Sequence, residues 1–146
     1  MNINDFLTFA RSVMNEHGLH IWELAIDRAA RRAGCCNYTT RTLSFSKHFV
    51  ENNDQSVILD TLLHEISHSL VGPGHGHGIA WQLKCKQIGL SKPVRCLENA
   101  DMPKGKYQAI CGSCGPINAY RHRLSERSNK QKHAACKTLV KWEVVK

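Results

Sequence analysis

The sequence predicts an α+β protein in two parts. Residues 1–103 read as a small domain of helices packed on a short antiparallel sheet, and residues 104–146 as a basic β ribbon. Three observations lead there. Helical and strand-like apolar periodicities both occur before residue 90. Two pairs of ligand-type residues at x₂ spacing, Cys111-x-x-Cys114 and His133-x-x-Cys136, occupy the tail. Between these parts, residues 89–103 carry Gly89, Pro93 and Pro103 with few apolar side chains, the mark of a boundary. A length of 146 residues allows one domain with a small satellite.

Taken in order, residues 4–17 form an amphipathic helix whose apolar face is Phe6, Leu7, Phe9, Ala10, Val13 and Met14, with Gly18 placed to end it. His17 and His20 read as surface residues. Residues 21–27 alternate, with Trp22, Leu24 and Ile26 on one side, and predict a strand. A basic stretch runs on to Ala33, a short helix or turn closed by Gly34. Residues 35–46 are rich in Thr, Tyr, Leu and Phe and read as β structure, with Cys35 and Cys36 as small, partly buried residues. Ser46 opens a short helix on which His48 is expected to be exposed. An edge strand of this sheet would offer an extended peptide a place to lie.

The next helix holds the chemistry. Val57, Ile58, Leu62, Leu63, Ile66 and Leu70 supply its apolar stripe, Asn53 or Asp54 its N-cap, and Gly72-Pro73-Gly74 its end. Within it lies His64-Glu65-Ile-Ser-His68. Positions i and i+4 share a helix face, so both imidazoles can reach one metal ion while Glu65 projects beside them as a general base. A shuffled chain of this composition would contain the pattern about 3 times in 100. Its setting in a buried, capped helix makes an amphipathic helix with two surface histidines the weaker reading.

A catalytic zinc needs a third protein ligand and an open position for water. The metzincin extension would require Gly at position 71 and His at 74, where the chain has Val71 and Gly74. Glu98, the first glutamate after Glu65, lies beyond Gly89 and Pro93 rather than on a second helix. The chain continues instead with Gly74-His75-Gly76-His77-Gly78-Ile-Ala-Trp81, leading into a helix at about residues 78–88. Spacing alone leaves His75 and His77 both open. Cys85 and Cys96 have no partner at ligand spacing and read as core or loop thiols.

These residues carry a resemblance. His64-Glu65-x-x-His68, a glycine-containing loop and His77-Gly78-x-x-Trp81 resemble the SprT-like (Spartan) metallopeptidases. Trp22-Glu-Leu-Ala-Ile-Asp27, Ala33-Gly34 and Leu43-Ser44-Phe-Ser46 extend the similarity over about residues 20–90. The resemblance implies a zincin-like fold and selects His77 over His75 as third zinc ligand. It also implies proteolysis of proteins bound or crosslinked to DNA. Here Glu65 would take a proton from a zinc-activated water and deliver it to the leaving amine.

In the tail, Cys111, Cys114, His133 and Cys136 match a zinc ribbon with one Cys replaced by His, and His122 is an alternative to His133. Ile117–Leu124 and Thr138–Val145 read as the strands of its hairpin. Bacterial SprT-like proteins also carry such a ribbon, with a preceding Tyr (here Tyr107) and an internal Arg-His (here Arg121-His122). The stretch is too poor in apolar residues to fold without metal. Two zinc ions are therefore expected, one catalytic and one structural.

Charge divides at the same boundary. Residues 1–103 hold ten Lys/Arg and ten Asp/Glu, so residues 104–146, with ten Lys/Arg against Glu126 and Glu143, carry the whole net charge of +8. Lys104, Lys106, Arg121, Arg123, Arg127, Lys130 and Lys132, interleaved with Tyr107, Tyr120 and Trp142, predict contact with nucleic acid, DNA above all. The bland alternative is a solvated basic tail. Protein substrates are the other expected partners. No apolar run reaches the length of a transmembrane helix, and Met1-Asn-Ile-Asn-Asp-Phe lacks the features of a signal peptide. Seven cysteines without an export signal predict a reducing, cytoplasmic setting. The rival functions are a nucleic-acid-binding zinc protein with a weak or silent peptidase site and, less favoured, a zinc amidase of small substrates.

Overall fold

A computed structural model describes residues 1–90 and 101–145. The irregular reading of residues 89–103, with Cys96 and Glu98 in it, therefore falls mostly outside the described residues. The chain divides into two compact units, Met1–Met102 and Pro103–Lys146.

In the first unit, helix α1 spans Ile3–Glu16. Asn2 caps it, its side chain accepting from the Asp5 N–H at 2.9 Å. Phe6, Ala10, Val13 and Met14, spaced at helical intervals, are buried. Gly18, at φ 77°, turns the chain out. Strand β1 is shorter than the sequence predicts, Glu23–Asp27. Upstream of it the Trp22 N–H bonds back to the Leu19 carbonyl, and Ile21 is 70% exposed. Strands β2 (Gly34–Asn37) and β3 (Thr42–Ser46) form a hairpin whose turn uses Asn37 Oδ1 as an acceptor for the Thr40 N–H.

The expected antiparallel sheet is a mixed one. Its order is β1-β3-β2, and β1 runs parallel to β3. The cause is the connection through residues 28–33, which steps across the end of β3 instead of turning back beside β1. Ser46, the last residue of β3, holds that crossing. Its N–H donates to the Ala33 carbonyl at 2.8 Å and its hydroxyl to the Ala29 carbonyl at 2.6 Å. The same residue caps helix α2, Lys47–Asn52, on which His48 is half-buried rather than exposed.

Helix α3, Gln55–Val71, carries the histidine pair. Asp54 is its N-cap residue, while Asn53 is buried and binds the Phe49 carbonyl and the backbone of Asp101. Ile58, Leu62, Leu63 and Ile66 enter the core with Phe6, Phe45 and Phe49, whereas Leu70 is 37% exposed. Gly72, at φ 82°, ends the helix. Helix α4, Ile79–Gln87, comes next and buries Trp81 and Cys85. No helix among the described residues is long and apolar enough to cross a membrane.

The second unit is a three-stranded antiparallel sheet. It consists of β4 (Tyr107–Cys111), β5 (Gly115–Arg121) and β6 (Val140–Val144), in the order β5-β4-β6. This corrects the predicted hairpin. The two strands read from the sequence are not neighbours, because β4 lies between them and pairs with both. Its five residues, Tyr-Gln-Ala-Ile-Cys, look in sequence like a lead-in to the first ligand turn. Their alternation nevertheless buries Ala109 and Cys111 against Val140.

Candidate active site and metal centres

His64 and His68 project from one face of α3, and a glycine-rich loop returns the chain so that His77 meets them just before the start of α4. The three Nε2 atoms form a near-equilateral triangle, with sides of 3.3, 3.2 and 3.2 Å. Nitrogen ligands about 2.0 Å from a tetrahedral zinc stand about 3.3 Å apart, so these donors fit such an ion. Burial, and then His77 beside it, holds the His68 imidazole down to about 4, which keeps it neutral and able to ligate at neutral pH. His75 is exposed and stands outside the cluster.

Trp81 fixes this arrangement. It is buried, its ring centroid lies 4.7, 5.2 and 4.6 Å from those of His64, His68 and His77, and it stacks on His68 at an interplanar angle of 22°. Its indole N–H donates to the His64 carbonyl at 3.3 Å. The helix after the third histidine thus supplies the wall against which all three imidazoles rest.

Glu65, next to His64 in the helix, lies against Gly34 at the start of β2 and is only 7% exposed. Among the described residues no donor hydrogen-bonds its carboxylate. Burial drives its pKa up to about 7, with the Arg32 charge pulling the other way. A base poised near neutrality suits proton transfer. Gly34 is what lets β2 come so close. A Cβ there would stand 2.9 Å from Glu65 Cγ, 3.1 Å from Oε1 and 3.1 Å from the Phe45 ring. Cys36, further along β2, is pushed up to about 12 by burial and then by the Glu65 charge, so it stays a neutral thiol. The contact between Gly34 and Glu65 is not legible from spacing. Its one sequence signal is a glycine placed just before a strand-like run.

In the second unit, Cys111, Cys114, His133 and Cys136 converge, their ligand atoms all within 4.8 Å of one another. Cys136 Sγ lies 3.3 Å from Cys111 Sγ, 3.8 Å from Cys114 Sγ and 3.3 Å from His133 Nδ1. Sulfur ligands about 2.3 Å from a tetrahedral zinc would stand about 3.8 Å apart, the Cys114–Cys136 spacing, while the Cys111–Cys136 pair is closer and would open slightly around an ion. Hydrogen bonds from the side chain and backbone of Thr138 hold the Cys136 thiol down, favouring the thiolate that binds metal. His122 is half-buried at the end of β5 and is not in the cluster.

The basic residues read from the sequence surround the same sheet. Lys104 Nζ lies 5.3 Å from the Tyr120 ring, Lys106 Nζ 5.6 Å from Tyr107, and the Arg121 guanidinium 5.2 Å from Trp142. Arg123, Arg127, Lys130 and Lys132 are exposed along the segment between β5 and β6.

Comparison with known families agrees with this geometry, since the model of the SprT-like family matches residues 3–101. The crystal structure of the metallopeptidase zymogen of Methanocaldococcus jannaschii jannalysin is similar at a TM-score of 0.46 and 20% identity, over 62% of this chain and 93% of that one. No curated protein matches the chain.

Proposed function

The chain belongs to the SprT-like family of metallopeptidases, and on that premise we propose that it is a zinc-dependent endopeptidase acting on proteins held on DNA, crosslinked ones included. The observation that carries the reading is three imidazole nitrogens within 3.3 Å of one another, beside a buried carboxylate with no hydrogen bond among the described residues. His64, His68 and His77 would hold the zinc, which would supply Lewis acidity toward water and the scissile carbonyl. Glu65 accepts the proton of the attacking water and returns it to the departing amine, so that one peptide bond is exchanged for a carboxylate and an ammonium.

Strand β2 supports an extended substrate. Among the described residues it pairs with β3 along one edge only, and its first residue lies against Glu65. A peptide added along the other edge would be held through its main chain, which tolerates many sequences. The basic second unit would then keep the enzyme on nucleic acid, with Lys104, Lys106, Arg121, Arg123, Arg127, Lys130 and Lys132 facing phosphates. Location, more than a side-chain pocket, would select what is cut.

The test pairs metal content with cleavage. Wild-type protein should hold two zinc ions, with one lost in His77→Ala and the other in Cys114→Ala. It should cut a DNA-bound protein faster than the same protein without DNA, and cleavage should fall when salt is raised. Glu65→Gln should keep both zinc ions and cut nothing. An intact two-zinc protein that binds DNA and cleaves no protein would instead be a nucleic-acid-binding zinc protein with a silent site.

A further inference from the structure

The connection through residues 28–33 presents three arginines, and one of them is held unlike the others. Arg32 Nη2 is 2.9 Å from Asp27 Oδ2, whereas no ion pair restrains Arg28 or Arg31 among the described residues. That bridge is not what shapes the loop. The backbone is already fixed by the bond from the Ala29 N–H to Asp27 Oδ1 and by the two bonds from Ser46 to Ala29 and Ala33. An ion pair as exposed as this one, 46% for Arg32 and 28% for Asp27, adds little stability. Its effect is on the guanidinium, whose direction it sets.

Where that guanidinium sits matters. Arg32 is two residues before Gly34, the point at which β2 touches Glu65. It therefore stands at the entrance to the edge strand. A guanidinium has five N–H donors, and Asp27 occupies one corner of it. The remaining donors stay open to an incoming acceptor because nearly half of the side chain is exposed.

We propose that Arg32 is a substrate-positioning residue, oriented by Asp27 to donate to a main-chain carbonyl of the peptide lying along β2. The inference rests on the edge-strand reading above. A carbonyl, present in every peptide, fits a site that must accept many sequences. A pre-oriented guanidinium holds it at less entropic cost than a free lysine would.

The experiment measures binding rather than turnover. Zinc-loaded full-length Glu65→Gln protein is titrated with a fluorescently labelled, neutral, blocked peptide, monitored by anisotropy, and compared with the same protein carrying Arg32→Gln, Arg32→Lys or Arg28→Gln. Arg32→Gln should weaken binding about five- to tenfold, Arg32→Lys should restore part of the loss, and Arg28→Gln should change nothing. Zinc content and thermal midpoint should stay level throughout. Equal affinity for Arg32→Gln overturns the proposal. Equal weakening by Arg28→Gln overturns it too, in favour of general charge, and a loss seen only with glutamate-bearing peptides overturns it in favour of side-chain recognition. Absence of any peptide binding by the Glu65→Gln parent removes the edge-strand reading and this proposal together, whereas binding indifferent to Arg32 removes the proposal alone.

Discussion

A methyl group added at Gly34 would stand 2.9 Å from Glu65 Cγ, closer than such atoms approach, so either β2 or the carboxylate must move. Glu65 sits one residue from His64 of the candidate zinc site, and on the proposed mechanism its position is functional. Gly34→Ala should therefore lower kcat by tenfold or more while both zinc ions remain bound, since displacements of about 1 Å at a reacting group cost on that scale. Unchanged kcat would mean that the neighbourhood yields freely. The Glu65 carboxyl also carries a pH signature. Its folded pKa is raised from 4.5 to about 7, so its contribution to stability is full below pH 4.5 and lost as pH rises through about 7. In metal-free protein, Glu65→Gln should be more stable than wild type at pH 8, on the order of 2–3 kcal/mol, and equal to it at pH 4. His68 acts in the opposite sense, its contribution present above pH 6.5 and lost as pH falls through about 4. Both proteins keep His68, so the difference between their denaturation curves isolates Glu65. With zinc bound, the added positive charge brings the Glu65 pKa back down, and the acid limb of kcat/KM should lie below pH 7. A limb above 7 would contradict Glu65 as the base.

At the scale of elements, the two ligand turns of the second unit are built alike, with one difference. Each presents two ligands at x₂ spacing and then turns through a residue at positive φ, Gly115 at 78° in one and Lys137 at 60° in the other. In the second turn the Lys137 N–H bonds the His133 carbonyl at 2.8 Å, and the His133 N–H bonds the Thr138 carbonyl at 2.8 Å. Glycine adopts that backbone freely, whereas a side chain there costs roughly 1 kcal/mol. Lys137→Gly should stabilise the zinc-loaded ribbon by about 0.5–1 kcal/mol, and Gly115→Lys should destabilise it by at least as much, both read from thermal midpoints. A ribbon weakened by Lys137→Gly would show that the lysine side chain contributes more than its backbone costs.

For the whole molecule, the two units differ in what holds them. The first packs α1, α3 and the sheet around Phe6, Phe45, Phe49, Ile58, Leu62 and Ile66, a core that is expected to hold without metal. The second has a buried apolar core of Ala109, Cys111 and Val140, one of which belongs to the candidate metal site. Chelation should therefore abolish hydrogen-exchange protection in β4, β5 and β6 while α3 keeps most of its own. Protection that persists in β4 after zinc is removed would show that the ribbon folds by packing. A protein of this design can lose its basic unit to chelators and still keep its peptidase fold.

Much of this was legible before any fold was known. The i, i+4 histidines, the Ser46 helix start, the start of α3 at Asn53 or Asp54, the Gly72 stop and the paired ligand turns all depend on residues within a few positions of one another, and backbone geometry alone relates them. Tertiary structure decided the rest, because it depends on which distant segments meet. Spacing left His75 and His77 equal until the wall formed by Trp81 placed one imidazole in the triangle and left the other in solvent. The mixed order β1-β3-β2 results from a loop held across the end of β3 by Ser46, and the central place of β4 from burial of Ala109 and Cys111. The approach of Gly34 to Glu65 joins residues about thirty positions apart, and packing alone brings them together.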